Sequence, residues 1–281
     1  NDDDLDLFVG TRSNVPSKLY RNDLVINHRD SAIESFSDVT SQADIDAKQV
    51  AGIAWGDYDN DIDLYVSQNG TSPVGNPARF ERLYRNDYGN GSFTDVMNGV
   101  GEGLGIAQET GENFYGPHWV DYDNDGDLDL SLRTTIPSQQ KNVLNIYTND
   151  EATFSRTHSL DVEKEDESGI SFSMVWADFN NDGFLDVYLP KVAGKTPLVP
   201  VTGQSRNLLY CNISGGTGRD FVEVGEDVGV DGRRNTYGAA WGNIDNDGDN
   251  SAKAAAAAAD VSQPPPATSL PSPQQVLAPE L

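Results

Sequence analysis

Trp119-Val120-Asp121-Tyr122-Asp123-Asn124-Asp125-Gly126-Asp127-Leu128-Asp129-Leu130-Ser131-Leu132 is the stretch that decides how this chain is read. It carries five aspartates at alternate positions, Asp121 to Asp129, and leaves on Leu128, Leu130 and Leu132 alternating with Asp129, Ser131 and Arg133. Period-two alternation is that of a strand, with the leucines on one face and the polar set on the other. The phrase returns as Trp55-Gly56-Asp57, Trp176-Ala177-Asp178 and Trp241-Gly242-Asn243, so that all four tryptophans stand in it, at separations of 64, 57 and 65 residues. Each opens an acidic run: DYDNDIDLYV from Asp57, DFNNDGFLDVYL from Asp178 and NIDNDGDNS from Asn243. The opening residues NDDDLDLFV read as the same run without its first three positions.

Two further phrases follow each run in fixed order. One is Leu19-Tyr20-Arg21-Asn22, Leu83-Tyr84-Arg85-Asn86, Ile146-Tyr147-Thr148-Asn149 and Leu209-Tyr210-Cys211-Asn212. The other is Phe36-Ser37-Asp38-Val39, Phe93-Thr94-Asp95-Val96, Phe154-Ser155-Arg156-Thr157 and Phe221-Val222-Glu223-Val224. Such recurrence marks a repeat protein. The segments 52–55, 172–176 and 237–241 are short, apolar and bulky, as buried strands are, and the two later phrases supply a third and a fourth strand. Asn69-Gly70 and Gly89-Asn90-Gly91 carry turn chemistry between them. The expected fold is all-β: a β-propeller of four-stranded antiparallel blades with about four repeats present. The units start near 49, 113, 171 and 235 within residues 1–250.

The acidic runs have the requirements of a calcium loop. With Asp121 as position 1, carboxylates fall at positions 3, 5, 7 and 9 (Asp123, Asp125, Asp127 and Asp129), and Gly126 at position 6 lets the chain turn sharply. Carboxylates crowded this closely repel one another, and a hard cation relieves that. The Asp178 loop offers Asp178, Asn180, Asp182, the Phe184 carbonyl at position 7 and Asp186. An EF-hand is excluded, because position 12 is Leu132 or Leu189 in an outgoing strand, where that motif needs Glu and a helix. The other copies depart from the pattern. Asp57, Asp59, Asp61 and Asp63 stand on a loop two residues shorter, read either as a weak site or as a turn that holds water. Asn243, Asp245, Asp247 and Asp249 begin with an amide and lose position 9 to Ser251, and the N-terminal copy keeps Asp2, Asp4 and Asp6. The alternative for every loop is a solvated turn rich in Asp and Asn.

Taken together, WGDYDND, DYDNDGDLDL, LYRNDYGNGSFTDV and ADFNNDGFLDVYL closely resemble the FG-GAP/VCBS repeats of integrin α-subunit propellers and of secreted proteins of the cartilage acidic (ASPIC/UnbV) type. The resemblance implies a propeller, commonly seven-bladed, with Ca2+ in the loop between the first two strands of a blade. It implies calcium ligands at Asp121, Asp123, Asp125, Asp127 and Asp129, and at Asp178, Asn180, Asp182, Phe184 and Asp186. The repeat begins and ends mid-motif, which leaves two readings. In one, the N-terminal strands and 237–241 complete a blade and close a four-bladed ring. In the other, which we favour, the chain is a piece of a larger propeller. Residues 251–281, rich in Ala and Pro and without aromatics, are expected to be a disordered tail.

Composition narrows the functional classes. Against 45 Asp and Glu stand 19 Lys and Arg, a formal net charge of −26, which provides no electrostatic footprint for nucleic acid or an anionic membrane. No apolar run approaches the roughly 18–20 residues of a membrane-spanning helix, so no membrane insertion is expected. One cysteine excludes an intramolecular disulfide framework. His28, His118 and His158 occupy unrelated repeat positions, and no nucleophile elbow or phosphate loop is present, so the chain is expected not to be an enzyme. Cys211 is read as a packed small side chain and the tryptophans as blade core rather than sugar platforms. Asn69, Asn90 and Asn212 head glycosylation sequons but are better explained by turns and by the repeat's own Asn position.

The function expected is a secreted or cell-surface calcium-binding propeller acting in adhesion or protein interaction. The alternatives are a calcium-dependent lectin with a glycan ligand, or a non-catalytic propeller of a larger extracellular enzyme. Calcium sites of the extracellular kind bind at roughly 10⁻⁴–10⁻³ M, which fits an extracellular location. With about four loops each holding one Ca2+, the charge of −26 would fall to about −18.

Overall fold

The computed structural model describes residues 5–23, 36–68, 81–86, 91–97, 104, 106, 112–136, 139, 141–162, 170–171, 173–192, 205–215, 218–232 and 235–242. Among them there is no helix. The strands in chain order are β1 (Leu7–Val9), β2 (Lys18–Arg21), β3 (Ser37–Asp38), β4 (Val50–Asp57), β5 (Ile62–Gln68), β6 (Arg82–Asn86), β7 (Phe93–Asp95), β8 (Asn113–Val120) and β9 (Asp129–Ile136). They continue as β10 (Lys141–Asp150), β11 (Thr153–Asp161), β12 (Ile170–Ser171), β13 (Val175–Ala177), β14 (Asp186–Leu189), β15 (Lys191–Val192), β16 (Leu208–Gly215) and β17 (Gly218–Glu223).

Three sheets have four strands, ordered β4-β5-β6-β7, β8-β9-β10-β11 and β13-β14-β16-β17; the first has three, β1-β2-β3, and β12 pairs with β15. All pairings are antiparallel; each four-stranded sheet is a meander, and β12–β15 lies alongside the β13–β14 pair. One row of residues crosses every large sheet in the same register. Trp55 faces Leu64, which faces Tyr84 and then Asp95. Trp119, Leu130, Tyr147 and Arg156 form the second row, and Trp176, Val187, Tyr210 and Glu223 the third. The first sheet repeats the last three places with Leu7, Tyr20 and Asp38. The three phrases of the sequence are therefore the loop-proximal ends of equivalent strands.

The sheets stack face to face in chain order, with one apolar cluster between each adjacent pair. Phe8 and Leu19 meet Leu64, Val66 and Tyr84 in the first cluster. Tyr65 and Leu83, from the other face of the second sheet, meet Leu130, Leu132, Tyr147 and Phe154. Leu144 and Ile146 meet Val187, Leu189, Leu208 and Tyr210. This stacking buries both faces of a sheet. The polar set of β9, opposite the leucines, is buried too: Asp129, Ser131 and Arg133 lie in the interior, because a sheet with a neighbour on each side has no wet face. One correction concerns the tryptophan strands. β4, β8 and β13 are edges of their sheets, so they are half-buried rather than enclosed, and Trp55 is 37% exposed.

Gly56 shows how tightly neighbouring sheets fit. A Cβ there would stand 2.2 Å from the Trp119 ring, so the Trp-Gly-Asp phrase carries glycine where the next unit's indole lies across the backbone. The closed four-bladed ring is not formed: among the described residues β1 pairs with β2 alone. Segment 237–241 instead lies on the last sheet, with Trp241 stacked on Phe179 and edge-on to Tyr188, its Nε1 donating to the Val175 carbonyl. No helix of the described residues is long and apolar enough to cross a membrane.

Candidate metal centre

The acidic loops that begin at Asp57, Asp121 and Asp178 each join the first two strands of a four-stranded sheet, so strand pairing brings the two ends together. Between those ends the backbone makes the same excursion in each case. Position 4 is an asparagine in the left-handed region in all three loops: Asn60 (φ 88°), Asn124 (φ 62°) and Asn181 (φ 58°). Position 6 is likewise left-handed in the two full-length loops, Gly126 (φ 98°) and Gly183 (φ 90°). No heavy atom lies near a Cβ built on either glycine, so glycine is required by the backbone angle and not by space.

Position 9 has a part the sequence did not disclose. Asp129 is buried and uses both carboxylate oxygens: Oδ1 accepts from the Asn149 backbone N–H (2.9 Å) and Oδ2 from the Tyr122 N–H (3.1 Å). Asp186 does the same with Asn212 N–H (2.8 Å) and Phe179 N–H (3.0 Å). Asp63 accepts from Asn86 N–H (2.8 Å), and Asp6 from Asn22 N–H (2.8 Å). In four units the same aspartate ties the acidic loop to the asparagine of the third strand. Burial drives the Asp63 and Asp129 carboxyls up to about 7, against the pull of these N–H groups, and raises Asp186 in the same direction.

In the Asp121 loop, one oxygen each from Asp121, Asp123 and Asp129 lies within 4.8 Å of the others. One ion with oxygen ligands at about 2.4 Å spans oxygens up to about 4.8 Å apart, so the three can share a cation of calcium's size. Asp121 Oδ1 and Asp123 Oδ1 are shut off from water and have no hydrogen-bond partner. A buried carboxylate oxygen without a donor is costly unless a positive charge meets it. The Asp123 carboxyl is raised by burial first and then by the charges of Asp125 and Asp121. The other oxygen of Asp121 accepts from the Gly126 N–H (3.2 Å), which folds the loop back on itself. Asp125 and Asp127 are exposed and stand outside the group, with Asp125 accepting from the Asp127 N–H (3.0 Å).

The Asp178 loop has the same backbone but a looser set of side chains. Asp178 accepts from the N–H groups of Asp182 and Gly183, Asp182 accepts from that of Phe184, and Asn180 donates to the second oxygen of Asp182. The Arg219 guanidinium covers the Phe184 ring. Cys211 lies against this loop, with Asn180 donating to its sulfur (3.4 Å), and burial together with the Asp186 charge pushes the thiol up to about 11, which keeps it protonated and unreactive. In the shortened loop Asp57 is exposed and accepts from the Asn60 N–H (2.6 Å), while Asp59 and Asp61 are half-buried. Neither loop forms a group like that of Asp121, Asp123 and Asp129 among the described residues.

No protein-family model matches the chain, and no curated protein matches it.

Asn243, Asp245, Asp247 and Asp249 lie outside the described residues, as do Asp2, Asp4, His28, the turns at 69–70 and 89–90 and the tail 251–281. Asn212 is buried with its amide donating to two carbonyls, which removes it as a glycan acceptor. The sequence signal that could have revealed the position-9 tie was the Asn that closes every Leu-Tyr-Arg-Asn phrase, including the one where Cys211 replaces the arginine.

Proposed function

We propose that this chain is part of a calcium-stabilised β-propeller of the FG-GAP/VCBS kind, working outside the cell as an adhesion or protein-interaction module and not as an enzyme. The observation that carries this reading is the convergence of Asp121, Asp123 and Asp129 with two carboxylate oxygens buried and without donors. Those residues fit a hard divalent cation in both chemistry and spacing. Asp178, Asn180, Asp182, Asp186 and the Phe184 carbonyl form the second candidate set, on a loop of the same length and backbone form. Stacked four-stranded sheets with equivalent registers support the propeller. A rigid stack of this kind presents its loops as a broad face, and recognition of a protein partner belongs to those loops.

The test is calcium titration of chelator-treated protein followed by calorimetry and thermal melting, with magnesium as the control. Saturable calcium binding that raises Tm is expected, with the contribution of the Asp121 loop lost in Asp121→Asn/Asp123→Asn. An identical melting curve in calcium and in chelator sinks the structural role of the ion. Calcium-dependent capture of defined glycans on an array would replace the protein-partner reading by the lectin one.

A further inference from the structure

The acidic loops of neighbouring sheets are joined through single asparagines. Asn212, on the third strand of the last sheet, is fully buried and faces two ways. Its side-chain amide donates to the Tyr122 carbonyl (2.8 Å), between the candidate ligands Asp121 and Asp123 of the preceding sheet's loop. Its backbone N–H donates to Asp186 Oδ1 (2.8 Å), and its amide also donates to the Leu185 carbonyl (3.1 Å), so it holds the exit of its own sheet's loop. Arg219 Nε donates to the remaining side-chain oxygen (2.9 Å) and fixes the orientation of the amide. Asn149 repeats the arrangement one unit earlier, from the Tyr58 carbonyl (3.2 Å) to Asp129 Oδ1 (2.9 Å) and the Leu128 carbonyl (3.2 Å). A second bridge is more direct: the Asn124 amide donates to the Gly183 carbonyl, joining position 4 of one loop to position 6 of the next.

We propose that Asn212 and Asn124 are positioning residues that make cation binding at the Asp121 and Asp178 loops positively cooperative. This rests on the calcium reading of the loops given above. The Tyr122 backbone is the shared part: the N–H of the peptide before it is held by Asp129 and the carbonyl of the peptide after it by Asn212. An ion drawing Asp121, Asp123 and Asp129 together fixes both peptides that flank Tyr122. The Asn212 amide then has one orientation, and the Asp186 carboxylate below it is placed before an ion arrives there. Ordering that one loop has already undergone need not be repeated by its neighbour, which is the physical content of cooperativity without a large change of shape.

The experiment is a calcium titration of the full chain, labelled with ¹⁵N-glycine and followed by two-dimensional NMR. The Gly126 and Gly183 amides each report one loop. In Asp121→Asn/Asp123→Asn the Gly183 midpoint is expected to move to higher calcium by about five-fold or more, the lower end of ordinary coupling between sites. In Asn124→Gly, which keeps the left-handed backbone and removes the amide, the same double substitution is expected to move it less. In Asn212→Ala the shift is expected to shrink further. Should Asn212→Ala fail to fold, Asn124→Gly carries the comparison alone. A Gly183 midpoint that stays put when the Asp121 loop is disabled, while both amides respond in the wild type, overturns the coupling and leaves the calcium reading standing. Two amides silent to calcium overturn that reading and the coupling with it.

Discussion

The loops 57–63 and 121–129 begin and end alike and differ in the middle. Both carry a buried tyrosine at position 2, a left-handed asparagine at position 4 and a buried aspartate that ties the loop to the third strand. Tyr58 and Tyr122 each enter the cluster between their own sheet and the next, so the apolar anchor survives in both. The shorter loop lacks the pair matching Gly126 and Asp127. In it Asp57 turns to solvent, and the one carboxylate oxygen buried without a hydrogen-bond partner belongs to Asp63 itself. In the longer loop such oxygens belong to Asp121 and Asp123. The last aspartate is therefore architectural in each described copy of the loop, whereas gathering the first two depends on the glycine turn.

Removing the last aspartate has the largest expected effect. Asp129→Ala leaves two buried N–H groups without their charged acceptor and is expected to lower the free energy of unfolding by roughly 3–5 kcal/mol, against about 1–3 kcal/mol for Asp63→Ala. Urea denaturation measures both, and equal losses would break the distinction between the two loops. Calcium comes next. At ten times Kd one site adds about 1.4 kcal/mol, or about 3–6 °C in Tm for a domain of this size. Asp121→Asn/Asp123→Asn should abolish that increment in scanning calorimetry, while Asp57→Asn/Asp59→Asn should leave it. If the second pair removes it instead, the assignment of the ion to the longer loop is wrong.

Inserting Gly-Asp between Asp61 and Ile62 restores the length of the longer loop, and a further calcium-dependent gain of up to about 1.4 kcal/mol is expected at ten times Kd. A variant whose calorimetric stoichiometry matches that of the wild type would show that length alone does not make a site. The remaining test is in pH. The folded pKa of Asp63, about 7, exceeds the unfolded value near 3.9. The fold thus favours the protonated carboxyl: its stabilisation is complete below about pH 4 and is lost as pH rises through 7. In chelator, Asp63→Asn should flatten the fall of Tm between pH 4 and pH 7 relative to wild type, and parallel curves would argue that Asp63 is not what titrates.

Much of the architecture was legible in the sequence because it repeats. Tryptophan, the leucine of the outgoing strand and the tyrosine of Leu-Tyr-Arg-Asn recur at fixed offsets, and they stand opposite one another across the sheets. The period of β9 was legible, but the burial of Ser131 and Arg133 on its polar face was not. Periodicity tells which residues share a face and not what covers that face. The five aspartates of the central loop were legible as one acidic run, but not their division into three that converge and two that face water.

The sequence by itself determined the strand order, the loop positions and the residues that form equivalent rows, since these follow from local alternation, turn chemistry and repetition along one chain. The tertiary structure alone decided that sheets cover one another on both faces and that the tryptophan strands are edges. It also decided that the last aspartate of each described loop is bound to the third strand, and that Asn149 and Asn212 join one loop to the next. Each of those facts is a contact across about twenty to ninety residues of chain. The energy that selects such contacts comes from burying groups from distant segments together, and no local pattern records it.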